Sequence, residues 1–490
     1  MRIIQLKERG LIDATSMATS AGVPFDEGRR LISLLSDRGI LKPASVSDAE
    51  ESDSTDMLES TYNDGAYRVV YVGVVVTGEI VIYCMPKYIR GDVAPTDFRP
   101  VFAALRRYHS DSEDTSLTTL DEEVRASRIS LILALLASYE EHGPYTNQER
   151  IRQTNGRGPI HWPATISTHL PVITDDRPLY MEYETMANRT NDSDFISRLH
   201  QAVLSSCSAE LERCGLLDVF SLPPIDLSES PLDEFGDKET VVRKIDQELG
   251  VQFITWKQDA LKLMKLYFEV AQADEQESGI TCYGTNSFHV IWEKACKTAL
   301  NDMLDVKLRD LPIRLDAKWQ SRKEETLLGI IPSPKWRIRA ATGELRECDQ
   351  TKTLVPDIVS INASGRSSEF TIYDAKYYAP TFGKKIIAAP GIESVTKQLL
   401  YQSAYRDFII DNKFTSVRNM FLIPIDGSEF VNKGNVSFEV VADEGEPFTC
   451  FIDVMLVPAN LILECYISQS GLNIDELPTA REQFMLSGEE

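Results

Sequence analysis

Two aspartates and a lysine in the C-terminal half of the chain have residue types and spacing suited to binding a metal ion. Residues 354–378 read LVPDIVSINASGRSSEFTIYDAKYY, and the β-branched and aromatic runs on either side of a polar turn predict a β-hairpin. If the hairpin closes in the middle of that turn, Asp357 lies directly opposite Asp374, with Cβ atoms about 5 Å apart. Asp374 and Lys376 are two residues apart and project from the same face of their strand. One face of the hairpin therefore presents two acids and a base.

Two carboxylates that face each other across a strand pair repel unless a cation lies between them. Mg2+ suits this pair because it needs only one or two carboxylates besides water and phosphate oxygens, and Mn2+ is expected to substitute for it. The ammonium of Lys376 would orient a metal-bound water or offset charge on the phosphoryl oxygens. The pattern predicts metal-dependent phosphodiester hydrolysis, with Asp357 and Asp374 as metal ligands. A Pro-Asp turn beside a solvated strand edge remains an alternative, since motifs this short also occur by chance.

The hydrophobic pattern around the hairpin predicts a helix before it and a helix and strand after it. The segment NSFHVIWEKACKTALNDML predicts the first helix, which carries Glu293. A second helix is predicted from about Glu393 to Ile410, and MFLIPID then predicts a buried strand that ends at Asp426. We therefore expect a mixed sheet flanked by helices.

This order of elements, with its acid pair and lysine, resembles the PD-(D/E)xK nuclease superfamily. Four further segments narrow the resemblance. They are TNSFHVIWEKAC at Thr285–Cys296, MPKY at Met85–Tyr88, IHWPATI at Ile160–Ile166, and YDAKYY followed by LLYQSAY. In this order they resemble the LlaJI family of restriction endonucleases, whose nuclease half is similar to McrC, between about residues 67 and 457.

The resemblance implies the DNA-cleaving subunit of a restriction system that defends against phage. Its implied partners are double-stranded DNA and a McrB-like AAA+ GTPase, a hexamer or other oligomer. The catalytic residues it implies are Asp357, Asp374, Lys376, Glu293 and Gln402. Glu293 corresponds to the acid that the first helix of this superfamily often supplies, and Gln402 belongs to the YQxxAY-type helix. Gln398 lies on the same helical stripe and could reach the site equally well, and a solvated glutamine remains an alternative for Gln402.

The composition is that of an ordinary globular protein of about three domains. Its 490 residues are 43% hydrophobic and 26% charged, with no apolar run near the ~18 residues that span a bilayer. The sequence also lacks a signal-peptide pattern, so we expect a cytoplasmic protein without a membrane partner. The eight cysteines include no CxxC pair, which favours reduced thiols and disfavours an iron–sulfur nuclease.

The net charge of −24 is unusual for a protein that binds DNA, because phosphate contacts by Lys and Arg supply most non-specific affinity. Either acidic residues concentrate away from the site, as in the acidic linker at Ser47–Ser60, or a partner delivers the DNA. Basic residues are expected to outnumber acids around the site. They are Lys384, Lys385, Lys397, Arg406, Lys413 and Arg418.

We predict a multidomain protein of mixed α/β and α+β class. The predicted parts are a winged-helix-like module (1–45), an acidic linker (46–62), an α+β domain for partner docking or DNA contact (63–190), a helical connector (191–278), the PD-(D/E)xK nuclease domain (279–470) and a tail (471–490). In the first module Asp26 is expected to cap a helix on which Arg29 and Arg30 lie near the start. Whether that module contacts DNA or protein stays open. In the α+β domain, the segment around Trp162 is either a phosphate-contacting loop or a solvated loop with one buried tryptophan.

Several activities lack their motifs. GxxxxGK[ST] is absent, so we expect no nucleotide to bind this chain. The six histidines have no zinc spacing, and His289 is interpreted as a packed core histidine. Two alternatives remain, a solitary RecB-like repair nuclease and a non-catalytic winged-helix defence regulator or scaffold.

Overall fold

The structure is a computed structural model in which the placement of most residues is defined. It describes residues 1–44, 65–91, 93–113, 128–174, 177–191, 193–277, 280–339, 344–349, 352–364, 367–383, 386–438 and 447–472. The strands in these ranges are β1 (Arg2–Lys7), β2 (Leu11–Ile12), β3 (Leu41–Pro43), β4 (Tyr67–Val69), β5 (Val72–Thr77), β6 (Ile80–Met85), β7 (Gln148–Thr154), β8 (Val172–Thr174), β9 (Arg177–Leu179), β10 (Glu184–Thr190), β11 (Ile280–Thr285), β12 (Lys335–Arg339), β13 (Leu345–Asp349), β14 (Ile358–Ser364), β15 (Ser367–Ala375), β16 (Thr381–Phe382), β17 (Ile386–Ile387), β18 (Ser416–Ile425), β19 (Val431–Ser437) and β20 (Phe451–Pro458). The α-helices are α1 (Ala14–Ala21), α2 (Phe25–Asp37), α3 (Arg99–Glu113), α4 (Arg128–His142), α5 (Trp162–Thr168), α6 (Phe195–Arg213), α7 (Leu216–Phe220), α8 (Lys238–Leu249), α9 (Thr255–Glu277), α10 (Phe288–Ala299), α11 (Ala317–Gln320), α12 (Ile392–Ala404), α13 (Arg406–Asp411) and α14 (Ala459–Ser468).

The C-terminal part contains a five-stranded mixed sheet with the order β14-β15-β18-β20-β19. β14 and β15 form an antiparallel hairpin, β15 pairs with β18 and β18 with β20 in parallel, and β19 is antiparallel to β20. The hairpin register pairs Ile358 with Tyr373, so the residues just outside it, Asp357 and Asp374, face each other. This is the register predicted from the sequence, and the mixed α/β class of the fold is likewise as predicted.

One face of the hairpin packs into a large apolar cluster. The two strands contribute alternate residues to it, namely Val359, Ile361, Phe370 and Ile372. Because side chains alternate along a strand, Asp357 and Asp374 continue these two rows at the point where the apolar core ends. The core therefore orients the acid pair toward the same face.

The helix predicted from Glu393 to Ile410 is divided into α12 and α13 at Tyr405, which caps the first and starts the second. Tyr405 is fully buried, and its ring lies 5.0 Å from that of Phe370, centroid to centroid. Both helices thus pack on the same face of the sheet as the hairpin's apolar row.

The N-terminal residues fold as two helices and a small sheet, consistent with a winged-helix-like arrangement. Helices α1 and α2 pack so closely that a Cβ on Gly28 would lie 2.7 Å from the Cβ of Ala18. The sheet has the order β2-β4-β3, so its middle strand comes from beyond the acidic linker. In addition, β1 pairs in parallel with β6. The module predicted to end at residue 45 therefore continues through backbone pairing into residues 67–85.

Asp26 is not a helix cap. The residue before α2 is Pro24, which makes no side-chain cap, and Asp26 lies in the first turn, where its charge favours the positive end of the helix dipole. The capping carboxylate belongs to Asp13, whose side chain accepts a hydrogen bond of 2.7 Å from Ser16 N at the start of α1.

The chain divides into two compact units whose boundaries differ from those of the predicted domains. One comprises residues 2–75, 80–119 and 284–490, and the other comprises residues 1, 76–79 and 120–283. In the first unit, α3 packs on α14, and Arg107 Nη1 donates a hydrogen bond of 2.9 Å to Ile467 O. Part of the predicted 63–190 domain thus belongs with the C-terminal sheet.

The second unit contains the helices α4 to α9 and the antiparallel pair β7 and β10. The basic segment before Trp162 forms β7 rather than a loop, and the Trp162 side chain is 49% exposed rather than buried. Among the described residues of the whole chain, no helix has the length and apolar character needed to cross a membrane.

Candidate active site

Asp357, Asp374 and Lys376 meet at the end of the hairpin. Asp374 is only 5% exposed, and its Oδ2 lies 3.0 Å from Lys376 Nζ. Asp357 Oδ2 accepts a hydrogen bond of 3.0 Å from Ala375 N, and Lys376 N donates one of 2.9 Å to Leu422 O. Backbone pairing with β18 therefore holds the end of β15, and the two acids and the lysine form one cluster.

The two carboxyl groups are strongly coupled. Burial, followed by the hydrogen bond and the negative charge of Asp374, raises the pKa of Asp357 to about 7 against the opposing effects of the Ala375 amide and the Lys376 ammonium. At neutral pH a proton thus partly offsets the repulsion that a bound cation would offset more completely.

This donor set fits a hard divalent cation. Within the part of the chain that the structure describes, no three His, Cys, Asp or Glu side chains are grouped as metal ligands. Two carboxylates are sufficient for Mg2+, whose remaining positions are ordinarily filled by water and phosphate oxygens. Asp357 and Asp374 are therefore the residues that could hold such an ion.

The cluster opens into a cavity of about 620 Å³ that also brings Glu293 to the site. Glu293 lines this cavity with Asp357 and Lys376, and its Oε1 accepts a hydrogen bond of 2.8 Å from Lys297 Nζ. His289, one turn earlier on α10, also lines the cavity and is exposed, so it is not the packed core histidine that was expected.

Electrostatic effects on α10 reflect the closeness of these acids. Burial raises the pKa of the Cys296 thiol, and the charges of Asp357 and Glu293 raise it further. Burial acts to lower the pKa of Lys297, but the hydrogen bond that Lys297 donates to Glu293 and the charges of Glu293, Asp302 and Asp357 outweigh it and raise the pKa. Lys297 is thus a cation that balances the acids of the site.

Helix α12 turns Tyr401 toward the acid pair, and not Gln402. Burial raises the pKa of Tyr401 to about 12, with further contributions from the charges of Asp357 and Asp374. Successive helical residues point about 100° apart, so the neighbouring Gln402 faces elsewhere. Its Nε2 donates to Thr449 O at 3.0 Å, and its Oε1 accepts from Asn419 Nδ2 at 3.0 Å.

The alternative glutamine, Gln398, bonds to the strand that carries Asp374. It is fully buried and donates a hydrogen bond of 2.9 Å to Ile372 O. Gln402, the predicted fourth residue, bonds instead to Asn419 and to the backbone of Thr449.

Replacing Gln402 by alanine is expected to affect stability and not catalysis. The change leaves Asn419 and the backbone of Thr449 without their buried partner, which costs about 1–3 kcal/mol of unfolding free energy. Urea denaturation would measure this loss, and DNA cleavage would be compared at a temperature where the variant is folded. A folded Gln402→Ala protein that has lost cleavage would restore Gln402 to the site.

One of the predicted cations lies near the acid pair. The hydrogen bond to Glu393 and the charges of Glu393 and Asp374 raise the pKa of Lys397. Lys384 and Lys385 lie outside the described residues, and Arg418 pairs with Glu369. The cavity is instead lined by residues that sequence reasoning missed, namely Arg9, Lys42, Arg68 and Lys87. Of these four residues, only Lys87 could have been found from the sequence, because it lies in the MPKY segment that contributes to the family resemblance.

The fold and the site define a class of mixed α/β proteins that carry two acids and a lysine at the end of a β-hairpin. The chain belongs to the LlaJI restriction endonuclease family, whose family model matches residues 71–457, and the predicted resemblance is thereby confirmed. It is similar to the Type II restriction enzyme BsuMI component YdjA of Bacillus subtilis (strain 168), with 24% identity over 430 residues that cover 85% of this chain and 84% of that protein. Among solved structures, it is similar to a chain of the half-complex from the tetradecameric assembly of Thermococcus gammatolerans McrB AAA+ hexamers with bound McrC. That match has 13% identity, covers 95% of this chain and 99% of the other, and has a TM-score of 0.34.

Proposed function

We propose that this chain is a Mg2+-dependent DNA endonuclease with a PD-(D/E)xK-type core. The observation that carries the proposal is the cluster of Asp357, Asp374 and Lys376 in a member of a restriction endonuclease family. Asp357 and Lys376 of this cluster line the cavity. A carboxyl such as that of Asp357, whose pKa is raised by burial and by a neighbouring acid, is typical of functional sites. This favours a catalytic subunit over a non-catalytic scaffold.

Each residue has a distinct role in this proposal. Asp357 and Asp374 would hold the cation, which supplies a polarised phosphate and an acidified water when bound. Lys376, fixed 3.0 Å from Asp374, places its ammonium where it can orient the attacking water or offset charge on the phosphoryl oxygens. Glu293, held by Lys297, offers a further carboxylate on the opposite wall of the cavity to accept a proton or bind a water.

We further propose that the subunit works in a cytoplasmic phage-defence system with a McrB-like AAA+ GTPase. The support is the similarity of the family's nuclease half to McrC and the absence of a GxxxxGK[ST] motif from this sequence. The net charge of −24 adds to it, because a chain that repels DNA as a whole benefits from a partner that delivers the substrate.

Cleavage of supercoiled plasmid tests both parts. The full-length chain is expected to nick or linearise plasmid with Mg2+ or Mn2+ and to be inactive with EDTA. Addition of an AAA+ GTPase encoded by the neighbouring reading frame, with GTP, is expected to raise the rate. Cleavage that survives chelation would contradict the metal dependence, and absence of cleavage under every one of these conditions would contradict the nuclease assignment.

A further inference from the structure

The lining of the cavity beside the acid–lysine cluster contains more cations than acids, although the chain as a whole is acidic. Five cationic side chains and three acidic ones line the cavity. One of the cations is Lys376 of the acid–lysine cluster, and the other four come from residues before 90. We call these four the cationic wall: Arg9, Lys42, Arg68 and Lys87.

Lys87 is held beside the strand that carries Lys376. It is only 4% exposed, and its Nζ lies 4.2 Å from the ring centroid of Tyr377, the residue that follows Lys376. Glu8 fixes both partners, because its Oε2 accepts hydrogen bonds from the Tyr377 hydroxyl at 2.5 Å and from Lys87 N at 3.2 Å. A cation over an aromatic face is stabilised there without losing its charge. The ammonium of Lys87 is therefore kept at the cavity in a defined position.

Lys42 and Arg68 face each other directly across the antiparallel pair β3 and β4. Both side chains line the same cavity as the acid–lysine cluster. An anion bound in the cavity would therefore lie near two positive charges that neighbouring strands hold side by side.

Arg9 reaches the cavity from a strained turn. The φ angle of Arg9 is 67°, in the left-handed region that residues other than glycine seldom adopt. It is Arg9, and not the following Gly10, that has this conformation. Arg9 N donates a hydrogen bond of 2.8 Å to Val69 O, so the turn is fixed on β4. Backbone strain of this kind concentrates where a side chain must be placed for function.

We propose that the cationic wall binds phosphates of the DNA strand that flank the scissile phosphate, with Lys87 contacting the phosphate nearest to Lys376. The proposal rests on the nuclease function proposed above. It assigns a role in substrate binding to the four residues of the cationic wall, three of which precede the family match that begins at residue 71. It also explains how a chain with a net charge of −24 can bind DNA, because clustered cations in a cavity raise the local concentration of an anionic substrate.

The number of phosphate contacts can be read from the salt dependence of binding. We would measure binding of the full-length chain to a short fluorescent duplex by anisotropy in EDTA, over a series of NaCl concentrations. Each lost contact is expected to reduce the slope of log K against log salt by about 0.9. The Arg9→Gln/Lys42→Gln protein should therefore lose about two such steps. The matched control Arg314→Gln/Lys323→Gln removes one exposed arginine and one exposed lysine that do not line the cavity, and it should keep the wild-type slope.

Lys87 is tested by cleavage kinetics. Lys87→Met keeps the apolar stem and removes the charge, and we expect KM for DNA to rise about tenfold with kcat little changed. Lys87→Arg should recover most of that loss because it restores a cation. Thermal unfolding of both variants ensures that the comparison is made on folded protein.

Three results would overturn the proposal. They are an unchanged salt slope in Arg9→Gln/Lys42→Gln, a slope that falls only in the matched control, and a folded Lys87→Met protein with wild-type KM. None of them affects the nuclease assignment as long as wild-type cleavage still requires Asp374. A wild-type chain that cleaves no DNA with metal and partner would instead contradict the proposed function itself.

Discussion

Replacing Asp374 by alanine is expected to reduce DNA cleavage by about 10³-fold or more. Asp374 is one of the two carboxylates proposed to hold the metal, and it also pairs with Lys376, so its replacement is expected to remove a metal ligand and to free the ammonium. Several kcal/mol of transition-state stabilisation depend on a bound metal, and each 1.36 kcal/mol is a factor of about ten in rate. Lys376→Ala should have a comparable effect while metal binding persists. Single-turnover cleavage of plasmid, with and without the AAA+ partner, measures both losses.

The control for this experiment is another buried carboxylate of the same sheet. Asp453 on β20 is 6% exposed and lies in register with Met420 and Tyr373, on the face of the sheet opposite to Asp374. Asp453→Asn is therefore expected to keep wild-type cleavage wherever the protein is folded. Binding of the AAA+ partner should be unchanged in all three variants. Persistent cleavage by Asp374→Ala or by Lys376→Ala would show that the phosphodiester is hydrolysed at some other site.

The second large effect is expected in the pH dependence of metal binding, because the pKa of Asp357 is raised. Its pKa of about 7 means that the metal-free site takes up a proton as the pH falls below that value, and a cation must displace this proton to bind. The Mg2+ concentration for half-maximal cleavage should therefore rise about tenfold for each pH unit below 7. It should be nearly constant above about pH 8. Titration of Mg2+ at several pH values, at fixed ionic strength, gives this profile.

Asp357 should also influence the stability of the metal-free protein in a defined direction. Because its pKa is raised in the folded state from an ordinary 3.8, the folded chain binds more protons than the unfolded chain between about pH 4 and pH 7. The unfolding free energy should fall as the pH rises through this window, and Mg2+ should restore it. Asp357→Asn is neutral at every pH. It should therefore be more stable than wild type at pH 8 without metal, and inactive.

Denaturation with urea at pH 5 and pH 8, with EDTA or Mg2+, separates these effects. The Asp357→Asn protein should lose both the pH dependence and the stabilisation by Mg2+. A variant that is less stable than wild type at pH 8 in EDTA would show that the acid pair is not repulsive in the folded protein.

The hairpin and its acid pair were accessible from local sequence patterns. Alternating apolar residues and a short polar turn define the strands and their register, and the register alone places Asp357 opposite Asp374. The spacing of Asp374 and Lys376 then determines that they share a face. Glu293 was identified through family resemblance, and its place at the cavity depends on the packing of α10.

Errors arose where a prediction depended on the rotation of a helix about its axis. Gln402 and Tyr401 are adjacent in sequence, and whether one or the other faces the acids is decided by how α12 packs on the sheet. The amphipathic pattern of α12 defines a face only to within about one residue, which is the difference between a side chain at the cavity and one bonded to Thr449.

By itself, the sequence determined the family, the mixed α/β class and the acid–acid–lysine cluster, because strand period and turn length act over a few residues. Only the tertiary structure decided which cations line the cavity. Glu8 bonds to Tyr377 across 369 residues of chain, and no local pattern encodes a contact of that separation. The cationic wall exists because β1 pairs with β6 and β3 with β4 across the acidic linker, and this long-range pairing places basic residues of the first ninety positions next to Lys376.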